Sequence, residues 1–231
     1  MNPTKLHLIL ACLVAFSPMP VLAEETLSDL TYAVVAPENF DPEKAYPAVL
    51  ALPPGDGGRQ MVEAALEGYW GYGKTRGYIV VNPVAPKGVW FFDGSESKIP
   101  VLLDEVVRKY KIEGGRFHIA GISNGGISAF RIAEDYPKRF CSLAVFPGLP
   151  ANVRDFERLA DIVSMSMLLV VGEQDGRWVG RMQETQEKIS ALGGDAVLRV
   201  LPGVGHSVND GFTAEELFSW FDQQRAACRS D

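Results

Sequence analysis

The chain has 231 residues, 22 of them Lys or Arg and 29 Asp or Glu, for a formal net charge of −7, and 47% of it is hydrophobic. That length suits one domain with a substantial core. An acidic surface is a poor match for phosphate backbones, so a nucleic-acid partner is not expected.

The chain opens MNPTKLHLILACLVAFSPMPVLAEETL, with Lys5 ahead of an apolar run at 6–16 and Val21-Leu22-Ala23 before the first acids. This is the order of a secretory signal peptide, with cleavage expected after Ala23. The run falls far short of the roughly 20 apolar residues that cross a bilayer, so no membrane span is expected. An uncleaved anchor and a lipidated Cys12 are the weaker alternatives. The expected product is a single domain over 24–231, secreted or periplasmic. It keeps Cys141 and Cys228, for which one disulfide and two separately buried thiols both stay open.

Short apolar runs at 31–36, 48–52, 78–82, 116–121, 141–146, 167–172 and 196–201 read as strands, and helical period occupies 59–66, 99–111, 124–136, 180–192 and 213–226. In 99–111 the residues expected to face the core are Leu103, Val106, Val107 and Tyr110; in 213–226 they are Leu217, Trp220 and Phe221. Strands alternating with helices predict an α/β fold, a mostly parallel central sheet with helices on both faces. No repeat or low-complexity tract interrupts the pattern.

The stretch GYWGYGKT at 68–75 satisfies the phosphate-loop pattern, and PVLLDE at 100–105 resembles the apolar run whose acid would hold magnesium. A phosphate loop must leave a strand and open a helix, because loop amides and the helix N-terminus hold the anion together. Here the order is reversed, from helical 59–66 into strand 78–82, and Asp104 lies inside a helical pattern. Export also takes the chain away from free ATP. The motif is read as chance.

FHIAGISNGGISAF at 117–130 has the context that its own motif demands: an apolar strand, then G-x-S-x-G, then helical period. A serine on so tight a turn needs small residues two positions either side, and Gly121 and Gly125 supply them. Ser123 would project at the C-terminal edge of the sheet. Its hydroxyl needs a base. His7 leaves with the leader, and His118 lies five residues earlier on the same strand, too far down at about 3.3 Å per residue. That leaves His206, in PGVGHS just past strand 196–201. The imidazole needs a carboxylate for its tautomer and for its cationic form; Asp175, in VVGEQDG after strand 167–172, occupies the corresponding edge. Glu173 and Asp210 compete for that role but read better as surface or capping carboxylates.

The order Ser123, Asp175, His206 matches the α/β-hydrolase arrangement. GISNGG, VVGEQDG and PGVGHS resemble the three catalytic segments of that superfamily, over about residues 30 to 225. Within it, YKIEGGRFHIAGISNGG and AEDYPKRFCSLAVFPG resemble the exported esterases related to feruloyl esterases and polyhydroxybutyrate depolymerases. An acyl-transfer enzyme also needs donors for the oxyanion. The backbone N–H of Asn124 is one candidate. The other should come from the loop LPPGDGG at 52–58, where the resemblance implies a His-Gly pair and this chain has Pro54-Gly55. Proline has no amide hydrogen, so Asp56 is the expected donor, with Gly55 as the alternative. For the substrate wall, Trp90 in GVWFFDG at 88–94 and Trp178 after Asp175 are candidates, although burial beneath their loops would explain them equally.

The expected activity is therefore hydrolysis of carboxylic esters, borne by small molecules or polymers, through an acyl-serine intermediate. No metal or organic cofactor is expected, since the chain lacks H-E-x-x-H. A serine peptidase of the same fold and a non-catalytic binding protein are the rivals. The sequence leaves the acyl group, the alcohol and the oligomeric state open.

Overall fold

A computed structural model describes residues 22–27, 30–87 and 89–229. Its strands are β1 (Leu22–Leu27), β2 (Leu30–Val35), β3 (Ala48–Leu52), β4 (Ile79–Pro83), β5 (Phe117–Gly121), β6 (Phe140–Val145), β7 (Ser166–Gly172) and β8 (Ala196–Leu201). They form an eight-stranded sheet in the order β1-β2-β4-β3-β5-β6-β7-β8. β1 and β2 pair antiparallel and β2 meets β4 antiparallel; every other pairing is parallel. The fold class is the predicted one, an α/β-hydrolase sheet.

The five inner parallel strands read as continuous apolar runs because both of their faces are covered. Alternate side chains go to opposite sides. Leu50, Ile119, Leu143 and Leu169 pack beneath α3 (Ile99–Lys109), α4 (Asn124–Asp135) and α6 (Gly176–Ala191). Val49, Ala120, Ala144 and Val170 pack beneath α1 (Arg59–Gly68) and α7 (Ala214–Arg229). The connection between β6 and β7 carries the short helix α5 (Val153–Glu157) and a 3-10 helix directly after it (Arg158–Ile162). Among the described residues no helix is long and apolar enough to cross a membrane.

One expected core position is corrected. Val107 is 40% exposed, because α3 turns Ile99, Leu102, Leu103 and Val106 inward and Val107 lies just off that stripe. In α7 the buried residues are Leu217, Phe218 and Phe221, and Trp220 packs half-buried against the same cluster. The expected leader lies outside the described residues except at its end, where Ala23 pairs with Val34 within β1.

Of the two open cysteine alternatives, the structure has the disulfide: Cys141 on β6 is joined to Cys228 near the end of α7, with Cα atoms 4.9 Å apart. GYWGYGKT runs from α1 through the four-residue helix α2 (Gly73–Arg76) and a left-handed Gly77 into β4, so the helix-to-strand order that disqualifies a phosphate loop is present.

Candidate active site

β5 delivers the chain to the C-terminal edge of the sheet, and α4 begins three residues after its end. Between them Ser123 has φ 55° and ψ −117°, and it is the one non-glycine at positive φ among the described residues. Such a conformation costs about 1–3 kcal/mol and persists only where its surroundings hold it. Here the Ser123 N–H donates to Pro147 O at 2.8 Å, and its carbonyl accepts from Ile127 N at 3.0 Å as α4 starts. The close approach explains both flanking glycines. A Cβ on Gly121 would strike the Gly125 carbonyl, and one on Gly125 would stand 2.5 Å from Pro53 O and nearer still to Leu52 O.

The base and the acid arrive on neighbouring loops, after β8 and β7. These loops are tied together. Gln174 N donates to Val204 O at 2.9 Å, Gly203 N donates to Glu173 Oε2 at 2.9 Å, and Gly172 leaves room for the carbonyls of Val204 and Gly205. Asp175 stands at the N-cap of α6 but its carboxylate makes no capping bond. Instead Oδ2 accepts from His206 Nδ1 at 2.6 Å, and His206 Nε2 lies 2.9 Å from Ser123 Oγ. With Nδ1 protonated toward the acid, Nε2 is free to accept the serine proton. The aspartate side chain is 15% exposed and the imidazole 47%, so the acid is shielded while the base faces incoming solute.

The rival residues go elsewhere. His118 is fully buried on β5, with Nδ1 2.7 Å from Ser142 Oγ, and burial pulls its pKa down to about 3, so it stays neutral beside Phe221 and the disulfide. Glu173 serves the loop tie, and Asp210 is exposed. Among the described residues the one cluster of metal-ligating groups is His118, Cys141 and Cys228, whose two sulfurs are bonded to each other.

Asn124 opens α4, where a first-turn N–H has no acceptor within the helix. Asp56 lies between Gly55 and Gly57, both at positive φ, on the loop after β3. A bond that sequence reasoning missed joins these two candidates: Asn124 Nδ2 donates to Gly55 O at 2.8 Å, clamping the loop to the serine turn. The sequence signal for it is an amide side chain directly after the serine. The Asp56 carboxylate accepts from Gly58 N at 2.9 Å and shapes the same loop.

The two tryptophans divide. The Trp178 ring lies 5.3 Å from the His206 ring and lines a depression of about 260 Å³ together with Ile127, Leu149, Arg177 and Arg181. Trp90 is 39% exposed and stacks on Phe92 at 5.4 Å, while Phe91 is buried beneath. No ring contact or hydrogen bond joins Trp90 to Ser123, Asp175 or His206 among the described residues.

By sequence the chain matches no protein-family model and no curated protein. Solved structures are similar in fold. A thermostable esterase is 18% identical with a TM-score of 0.67 over 88% of this chain, which spans 63% of that protein. A ferulic acid esterase from Anaeromyces mucronatus is 16% identical with a TM-score of 0.68, covering 90% and 91% of the two chains. The dipeptidyl peptidase 4 of Porphyromonas gingivalis is 14% identical with a TM-score of 0.66, matching 89% of this chain but 35% of its own length.

Proposed function

We propose that this α/β-hydrolase-fold chain is an exported serine esterase whose catalytic groups are Ser123, His206 and Asp175. One observation carries the reading: an unbroken relay from the Asp175 carboxylate through His206 to the Ser123 hydroxyl, at the C-terminal edge of the sheet. In this mechanism Ser123 Oγ attacks the ester carbonyl as its proton passes to His206 Nε2. Asp175 holds the tautomer and stabilises the imidazolium. The N–H groups of Asn124 and Asp56 receive the oxyanion, a contribution of about 10²–10³ in rate per donor. The imidazolium then protonates the departing alcohol, and water, deprotonated by the same imidazole, releases the acid from the acyl-serine.

Export is supported by the charged and apolar leader and by a disulfide, which belongs to oxidising compartments. Cell fractionation tests it: a full-length chain retained in the cytoplasm counts against export. The peptidase alternative keeps the same relay with an amide substrate.

The test of the chemistry is labelling by a fluorophosphonate together with turnover of 4-nitrophenyl esters and anilides. Wild type is expected to label and to hydrolyse the ester; Ser123→Ala is expected to lose the label and about 10³-fold or more in kcat. Anilide cleavage with negligible ester turnover would favour the peptidase, and a folded wild type that neither labels nor turns over would favour a binding protein.

A further inference from the structure

The depression beside His206 has an apolar floor and a cationic rim. Ile127 stands one helical turn past the serine and bonds its carbonyl, Leu149 is buried, and Trp178 leans on the imidazole, so the hollow adjoins both the nucleophile and the base. Arg177 and Arg181 line it from α6, four residues apart and therefore on one face of the helix.

These two guanidiniums are not held as other arginines of the chain are. Arg131 grips Asp155 and Arg158 grips Asp135. No carboxylate lies within ion-pair distance of Arg177 or Arg181 among the described residues. Arg181 reaches only Pro150 O, at 3.4 Å. Of the nearby acids, Asp175 is engaged on His206 and Glu173 on Gly203, while Glu184 lines an adjoining hollow that Arg181 also borders. Like charges at this spacing repel and add nothing to the helix.

We propose that Arg177 and Arg181 form an anion subsite and that the preferred substrate is an ester carrying a free carboxylate. The apolar floor takes the carbon skeleton, the Trp178 face flanks it, and the paired guanidiniums receive the carboxylate with charge-assisted bonds. At about 30 Å³ per water-sized group, 260 Å³ has room for roughly eight or nine such groups, the scale of a short dicarboxylic half-ester. The substrate class rests on the esterase reading; the anion subsite does not.

Three measurements on wild type and on Arg177→Gln/Arg181→Gln test the subsite. The first compares kcat/KM for 4-nitrophenyl hydrogen glutarate with its methyl ester, placing the charge on the acyl side. The second compares 4-acetoxybenzoate with its methyl ester, placing it on the alcohol side. The third measures glutarate binding by calorimetry. For wild type we expect about tenfold preference for the charged member of one pair, relaxing in the double variant, and glutarate binding about tenfold weaker in that variant. The pair that responds locates the charge. Ester turnover with no charge preference in either pair, or preference and glutarate affinity unchanged in the double variant, overturns the subsite and leaves the esterase standing. Absence of ester turnover with glutarate binding lost in the variant does the reverse. Absence of both turnover and glutarate binding removes both.

Discussion

Replacing Gly125 by alanine should damage turnover through the oxyanion donors, although the residue bears no reacting atom. The added Cβ would stand 2.5 Å from Pro53 O and closer to Leu52 O, both of them backbone. A carbon and a carbonyl oxygen approach comfortably to about 3.3 Å, so the first turn of α4 must retreat from the β3 loop by about 0.8 Å or more. Asn124 rides on the retreating helix and Asp56 on the loop, so the gap between their N–H groups widens with it. Donors aimed at an oxyanion work at about 2.7–3.1 Å, and losing one costs about 10²–10³ in kcat. The assay is kcat on 4-nitrophenyl acetate, with the thermal midpoint and fluorophosphonate labelling measured on the same preparation. Gly180→Ala in α6 is the control. Its Cβ meets nothing within 4 Å, and the change should stabilise the fold by about 0.5–1 kcal/mol with turnover unaltered. A folded Gly125→Ala enzyme with kcat within threefold of wild type would refute the coupling between helix position and donor spacing.

Asn124→Ala keeps the backbone donor but cuts the bond to Gly55 O; we expect a fall of about tenfold in kcat, and unchanged rates would show that the loop holds its place without the clamp. Glu134 is buried with neither carboxylate oxygen hydrogen-bonded, and burial, reinforced by Asp155, raises its pKa from 4.5 to about 9. The folded chain therefore holds a proton that the unfolded chain has released, so stability falls as pH rises through that interval, by at most about 1.4 kcal/mol per pH unit. His118, whose pKa is pulled below its ordinary 6.5, acts oppositely at lower pH, which makes pH 7 to 9 the clean window. Urea denaturation there should show a negative slope that Glu134→Gln abolishes; a slope unchanged in that variant would exclude this carboxyl as its source. Removing the disulfide in Cys141→Ala/Cys228→Ala frees a loop of sequence separation 87, worth about 4–5 kcal/mol in the chain-entropy account. The midpoint should drop by roughly 10 °C at about 2–4 °C per kcal/mol, and a drop below 2 °C would count against that contribution.

The strands of the inner sheet were legible because burial on both faces leaves runs such as Ala48–Leu52 and 167–172 unbroken by polar residues. The serine turn was legible for a different reason: Gly121 and Gly125 are dictated by carbonyls that allow no Cβ, a constraint local enough to appear as a motif. β1 was hidden because Leu22 and Ala23 carry the composition of a leader's end, and edge pairing with β2 leaves no mark on that composition. Val107 was expected inside and Leu102 was not, since the adjacent apolar pairs Leu102-Leu103 and Val106-Val107 fix the face of α3 only to within one residue until the sheet beneath it is known. The Asn124 clamp and the arginine-rimmed hollow depend on contacts between segments remote in the chain, which periodicity does not report.

The cross-bonding of the loops after β7 and β8 determines which joint of the relay can open. Glu173 and Gln174 bond to Gly203 and Val204, so Asp175 and His206 sit on loops tied to each other, whereas Ser123 sits on the turn that opens α4. A displacement of α4 alone would part hydroxyl from imidazole and leave the bond between imidazole and carboxylate in place. The imidazole would then keep its orientation whether or not the hydroxyl is within reach.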